Sequence, residues 1–168
     1  KLADPSAVNK QVISSVDALD AIISESAGAS SKMTRAAPVI RLSLLAFASA
    51  HGALFGIPDR SLQAIERLEK NLETDLAAFL AMNDQPATMA KPMSKHVLAA
   101  TTLVRGALLG QNVDIDGALA GANAKDFQAG WWRAGANISA SLLRLATAII
   151  YHQANATAEV AKHRAALN

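Results

Sequence analysis

The segment from Ala36 to Ile57 constrains the fold more than any other part of the chain, because it is apolar on nearly every side when placed on a helix. Such a helix belongs at the centre of a protein or in a bilayer. The segment is long enough to span a membrane, but Arg41 and His51 interrupt it, and an ionised arginine inside a span costs on the order of 3 kcal/mol. We therefore expect a buried central helix, with a membrane-associated helix as the less favoured alternative.

The other helices are predicted from apolar residues that recur at spacings of three and four. These stripes are Val8, Val12, Val16, Leu19 and Ile23 after Asp4-Pro5; Ile65, Leu68, Leu72, Leu76 and Phe79 between Arg60 and Met82; Val97, Leu98, Thr101, Val104 and Leu108 after Pro92; and Phe127, Trp131, Ile138, Leu142, Leu145 and Ile149 after Asp126. A hydrophobic content of 51% with only 4% aromatic residues also favours close-packed helices. The sequence predicts a single all-α domain over residues 1–168, a bundle of about five or six helices around Val39–Phe55, whose tail from about residue 155 is extended or frayed.

Pairs of glycines four residues apart occur three times, at Gly52 and Gly56, Gly106 and Gly110, and Gly117 and Gly121. This spacing lets another backbone approach a helix closely. In a chain this rich in alanine, we interpret the pairs as sites of tight helix packing rather than as membrane dimerisation motifs.

Composition argues against several classes of function. The net charge of +2 is too small to indicate a nucleic-acid surface, and the absence of cysteine excludes thiolate metal sites and cysteine nucleophiles. Neither a G-x-S-x-G turn nor a P-loop occurs. We therefore expect no enzymatic activity and no nucleic-acid partner. The chain begins with Lys1 rather than Met, which we interpret as a processed N-terminus compatible with a secreted, periplasmic or organellar protein.

A calcium loop is suggested by Asp114, Asp116 and Gly117, which lie close together in the sequence. The required glutamate at the end of such a loop is missing, because Ala124 and Lys125 occupy that place. We expect no metal site here and interpret Asp116 as a helix cap.

Five residues are candidates for contact with a ligand or partner: Arg41, His51, Trp131, Trp132 and Tyr151. A buried Arg41 must find acceptors, and Asp20 and Glu25 are the nearest acidic residues that precede it. If Arg41 is purely structural, replacing it with methionine is expected to keep the fold. We expect Trp131 to anchor the core and Trp132 to be partly exposed, since tryptophan is enriched at interfaces.

Two short segments resemble a known family. Ala48 to Gly56, with the sequence A-S-A-H-G-A-L-F-G, is similar to the A-x-A-H-H-K-A-I-G segment of the peridinin-chlorophyll proteins, and Ala18-Leu19-Asp20 resembles their A-I-D. The resemblance implies an all-α shell in which His51 helps to hold a pigment. Gly52 replaces the second histidine of that family, and Arg60 to Met82 would be an insertion.

Three functions stay open from the sequence. The first is a non-enzymatic helical protein that contacts a protein partner or forms a homo-oligomer, because unusual apolarity without catalytic residues leaves surface to bury. The second is a carrier of an apolar ligand, lipid-like or pigment, with Arg41 or His51 as its polar anchor. The third is a membrane-associated helical protein.

Overall fold

A computed structural model describes residues 4–25, 32–120, 138, 141 and 144–156, with side chains from residue 35 onwards in the second of these ranges. The helices are α1 (Pro5–Glu25), α2 (Lys32–Leu54), α3 (Pro58–Met82), α4 (Ala90–Leu108), α5 (Ile115–Ala120) and α6 (residues 144–156), and a 3-10 turn covers Ala87–Met89. The part of the chain that the structure describes contains no strand. The prediction of an all-α helical bundle is confirmed.

The chain forms two compact units, Lys1–Ser94 and Lys95–Asn168, and the division falls within α4. In the first unit, α2 packs against both α1 and α3. This agrees with the central position predicted for the apolar segment. That residues 1–168 form a single domain stays a prediction, and the two units are described separately below.

The sequence explains the first unit locally. Pro5 begins α1, and the Asp4 carboxylate accepts a hydrogen bond of 3.1 Å from the backbone N–H of Ser6, which makes Asp4 the N-cap. The helix α3 begins two residues before the predicted Arg60, at Pro58, as suits proline in a first turn. All members of the predicted stripe of α3 are buried except the last, Phe79, which is half-buried. The next residue, Leu80, is buried instead.

The glycine pair at the end of α2 has two separate roles. A Cβ on Gly52 would lie 3.0 Å from the Cβ of Ser61, so the missing side chain allows α2 and α3 to approach closely. Gly56 has a φ of +68°, and the backbone N–H of Ile57 donates to the carbonyl of Gly52 at 2.8 Å, an arrangement that ends the helix. Close packing therefore depends on the first glycine of the pair only.

In the second unit, the predicted buried side of α4 is partly wrong. Thr101 is buried as expected, but Leu98 is 42% exposed, and Ala99, Leu103 and Ala107 are buried instead. Leu103 and Ala99 form a cluster with Leu119, against which Val113 and Ile115 pack. The physical reason is that the small Ala99, Gly106 and Ala107 let the backbone of α4 approach its neighbours, so they are buried together with Leu103 while Leu98 is exposed.

The cap of α5 also differs from the prediction. Asp114, rather than Asp116, caps this helix, because its carboxylate accepts a hydrogen bond of 2.9 Å from the backbone N–H of Gly117. Asp116 forms an exposed ion pair with Arg144, with a nitrogen–oxygen distance of 2.5 Å. The predictions for Asp126, Trp131 and Trp132 fall outside the described residues. The rest of the stripe predicted for the last helix is wrong where it is described, because Ile138, Leu145 and Ile149 are exposed.

Candidate functional site

The inner side of α2 carries a cluster of charged side chains from three helices, which we call the Arg41 cluster: Arg41 of α2, Asp17 and Asp20 of α1, and Arg67 and Asp75 of α3. Arg41 donates to the two carboxylate oxygens of Asp75 at 2.6 and 3.1 Å and to Asp20 at 2.6 Å. Arg67 donates to Asp20 at 2.7 Å and to Asp17 at 2.8 Å. Asp20 therefore bridges two guanidinium groups, and every guanidinium nitrogen of Arg41 has an acceptor.

Burial and pairing act in opposite directions on the pKa values of the cluster. Burial by itself would raise the pKa of Asp20, but the hydrogen bonds from Arg41 and Arg67 outweigh it and place that pKa below the ordinary value. At Asp75, which has no solvent exposure, burial dominates and raises the pKa although Arg41 opposes it. The pKa values of Arg41 and Arg67 are raised, because their carboxylate partners outweigh desolvation. Of the two carboxyl groups that Arg41 contacts, Asp75 is thus the one that acid neutralises more readily.

This geometry changes what substitution of Arg41 is expected to do. The pairing with Asp20 agrees with the sequence analysis, whereas Glu25 is not among the acceptors and Asp75 was missed. A signal for Asp75 does exist, because it falls within the apolar stripe of α3 next to Leu76, where an acidic residue needs a buried partner. The expectation that methionine in place of Arg41 keeps the fold is therefore withdrawn, since that change leaves a fully buried carboxylate unpaired.

The outer side of α2 is apolar and exposed. Ile40, Phe47 and Leu54 of α2, and Phe55 directly after its last residue, are 41%, 48%, 47% and 59% exposed, respectively. We call these four residues, together with His51 and the small exposed residues Ser43, Ala46 and Ala50 between them, the α2 outer face. By contrast, the side of α2 that packs in the unit is made largely of small residues, among them Ala37, Ala48, Ser49 and Ala53. Leu45 is also fully buried on that side, so α2 buries mostly small residues and Leu45 and leaves Phe47 and Leu54 exposed.

His51 lies between two aromatic rings on the α2 outer face. Its ring centroid is 5.3 Å from that of Phe47 and 4.6 Å from that of Phe55. The buried Nδ1 atom of His51 has no hydrogen-bond partner among the residues that the structure describes. The three rings form a continuous aromatic surface along the last turns of α2.

The same helix has the composition of a membrane span. Arg35–Leu54 is the one helix in the described ranges that is long and apolar enough to cross a bilayer, and 44% of its most apolar window is buried. The core helix of a soluble protein satisfies the same criterion. Length and composition therefore do not distinguish the two.

The second unit contains a groove of about 250 Å³. Asn112, Val113 and Ile115, around the start of α5, line one side, and Thr147, Ala148 and Tyr151 of α6 line the other. Thr147 is only 1% exposed, and its hydroxyl oxygen has no hydrogen-bond partner within the described part of the chain. The groove is thus mainly apolar, and one of its lining residues carries a buried hydroxyl without a described partner.

The five candidate contact residues occupy different surroundings. Arg41 is buried in its ion cluster, His51 is half-buried on the α2 outer face, and Tyr151 is at the groove of the second unit. Trp131 and Trp132 lie outside the described residues. Phe47 and Phe55 were not expected at the surface, because the apolarity of the whole segment predicted its burial. Their spacing around His51 along one helical side was the available signal.

Comparison with protein-family models, with curated proteins and with solved structures finds no match. The resemblance of Ala48 to Gly56 to the peridinin-chlorophyll proteins, and the pigment that it implies, stay predictions.

Proposed function

We propose that this chain acts by protein–protein contact through the α2 outer face, and that its partner there is a second copy of the chain. The observation that carries the proposal is the outward placement of the large apolar residues of α2. A helix that served only as the core of its own unit would be expected to bury Phe47 and Leu54, whereas both are about half exposed on α2.

The size of the α2 outer face supports an interface. Its four large apolar side chains expose on the order of 400 Å² of apolar surface, within the range in which exposed patches are often functional. Burying one such side chain fully contributes about 1.5 to 3 kcal/mol. Two copies, with the small residues between these side chains, would bury about 1,000 Å² in total, which is the low end for specific interfaces. We therefore expect a weak dimer with a micromolar dissociation constant.

Charge and shape favour a second copy as the occupant. From Ile40 to Phe55, all of which the structure describes, the exposed positions carry no Asp, Glu, Lys or Arg, so two copies meet without repulsion. The Ser43 hydroxyl donates a hydrogen bond of 3.0 Å to the carbonyl of Val39. This hydroxyl group therefore needs no polar partner on the second copy. Ser43, Ala46 and Ala50 provide recesses into which the large side chains of an antiparallel copy can pack.

A lipid surface is the competing partner. Helices that lie on membranes usually carry Lys and Arg along the polar side, opposite the apolar one. In α2, the side that packs against α1 and α3 holds the buried Arg41, paired with Asp75. This arrangement favours a protein surface over lipid.

The test is the mass of the full chain in solution as a function of its concentration, by sedimentation velocity. The unmodified protein is expected to change from monomer to dimer over roughly 1 to 100 µM. Phe47→Glu places a charge at the centre of the α2 outer face and should keep the chain monomeric. The matched control is Thr74→Glu, which adds the same charge at an exposed position of α3 and should dimerise normally.

Two results would overturn the proposal. One is an unmodified chain that stays monomeric up to about 1 mM, and the other is equal loss of dimer in both variants. Co-sedimentation with phosphatidylcholine vesicles that Phe47→Glu abolishes and Thr74→Glu does not, with no dimer in solution, would make lipid the partner instead.

A further inference from the structure

We infer that the groove between α5 and α6 is a binding site for a small, mainly apolar molecule that carries one hydrogen-bonding group, with Thr147 as its polar contact. The site lies wholly in the unit Lys95–Asn168 and is independent of the α2 outer face.

The volume sets the size of the ligand. An apolar cavity of about 150 Å³ is enough to hold benzene, and this groove measures about 250 Å³. A substituted benzene ring of roughly nine heavy atoms therefore fits, whereas a lipid or a tetrapyrrole pigment does not fit inside it. Ligand sites are typically apolar, with few polar groups that fix the orientation of the ligand. The groove has this composition, because Val113, Ile115 and Ala148 line it together with Thr147.

The wall that carries Val113 is firmly placed. A Cβ on Gly106 would lie 2.7 Å from a γ-carbon of Val113, so the valine occupies space that only glycine leaves open on α4. Ile115, on the same wall, packs against the cluster of Ala99, Leu103 and Leu119. The groove is therefore formed before any ligand arrives, which lowers the cost of binding.

The hydroxyl group of Thr147 gives the site its chemical preference. A buried hydroxyl without a partner is unfavourable, and a ligand that hydrogen-bonds to it removes that penalty. Threonine in a helix has two accessible χ1 rotamers, so the hydroxyl can change its direction without movement of the backbone. Asn112 and Tyr151 add polar groups to the lining, and both are exposed to solvent.

The experiment uses the full chain and two probes of matched size, 4-fluorobenzyl alcohol and 4-fluorotoluene, followed by fluorine NMR line broadening. We expect the alcohol to bind with a dissociation constant on the order of 1 mM, as is usual for so small a molecule, and the hydrocarbon to bind roughly threefold to tenfold more weakly, the effect of one hydrogen bond. Thr147→Val keeps the shape of the side chain and should abolish this preference.

A matched pair of variants locates the site. Ala148→Leu fills the groove and should weaken both probes at least roughly tenfold, because it removes the space they occupy. Ala156→Leu makes the same change at an exposed position on another side of α6 and should leave binding unchanged. Melting temperatures of the variants show that each is folded.

The inference is overturned if neither probe binds the unmodified chain below about 10 mM, or if Ala156→Leu weakens binding as much as Ala148→Leu. Binding to the groove with an alcohol preference that survives Thr147→Val would refute the role of Thr147.

Discussion

The pairing of Arg41 with Asp75 predicts a strong difference between removing one partner and removing both. Asp75 has no solvent exposure, and the side chain of Arg41 is 7% exposed. Arg41→Met therefore leaves a buried carboxylate without its cation, which typically costs about 3 to 5 kcal/mol. That is a large part of the free energy of unfolding of a typical domain, about 5 to 15 kcal/mol.

Asp75→Leu should be milder. Arg41 then keeps its hydrogen bond to Asp20, which is 37% exposed and shared with Arg67. We expect a loss of roughly 1 to 3 kcal/mol, the usual cost of hydrogen bonds to a charged group. Arg41→Met combined with Asp75→Leu replaces the pair by apolar groups of similar length and should fall within about 1 kcal/mol of the unmodified protein. The coupling energy between the two positions is therefore expected to exceed about 2 kcal/mol.

The assay is urea denaturation of the four proteins at neutral pH, with the single variants repeated at lower pH. Burial raises the pKa of the Asp75 carboxyl, so the folded form binds a proton more readily than the unfolded form. The deficit of Arg41→Met is accordingly expected to shrink as pH falls through the raised folded pKa towards about 4, the unfolded value. Additive losses in the double variant, or a deficit that does not change with pH, would refute the assignment of a buried ion pair.

Two further changes test the fold. Leu45→Asp should unfold the unit that contains α2, because Leu45 is fully buried and an unpaired carboxylate there costs several kcal/mol. Thr74→Asp, at an exposed position of α3 outside the α2 outer face, is the control. An unchanged melting temperature for Leu45→Asp would mean that Leu45 faces solvent or lipid. Asp20→Asn should flatten the loss of stability in acid, since the lowered pKa of Asp20 gives stability that is present above about pH 4 and disappears as pH falls through the folded value. If the free energy of unfolding changed equally with pH below about 4 in Asp20→Asn and in the unmodified protein, the pairing of Asp20 with Arg41 and Arg67 would be contradicted.

The sequence predicted the features of the fold that depend on local chemistry. Asp4 and Pro5 begin α1 because a carboxylate and a ring satisfy the needs of a first turn. The acceptor of Arg41 on α1 could also be expected, because a buried guanidinium needs a carboxylate within reach.

What failed was the choice of which side of a helix is buried. On α4 the sequence analysis ranked positions by hydrophobicity and placed Leu98 inside, but Ala99 and Ala107 are buried. On α2 it placed every apolar residue in the core, although Phe47 and Phe55 are exposed. In a chain rich in alanine, close approach of backbones competes with the burial of large side chains, and periodicity alone does not reveal which prevails.

The Arg41 cluster also sets the rotation of α2 about its own axis. A helix that is apolar all round has little preference for which side it buries, and Phe47 lies roughly 120° around the axis from Arg41. Turning α2 by that angle would bury Phe47, but it would also move Arg41 away from Asp75 and leave that buried carboxylate without a cation. Three helices are linked at this point through Asp20, Arg41 and Asp75. The buried ion pairs thus fix one rotation of α2 about its axis, and in that rotation its aromatic side chains remain exposed.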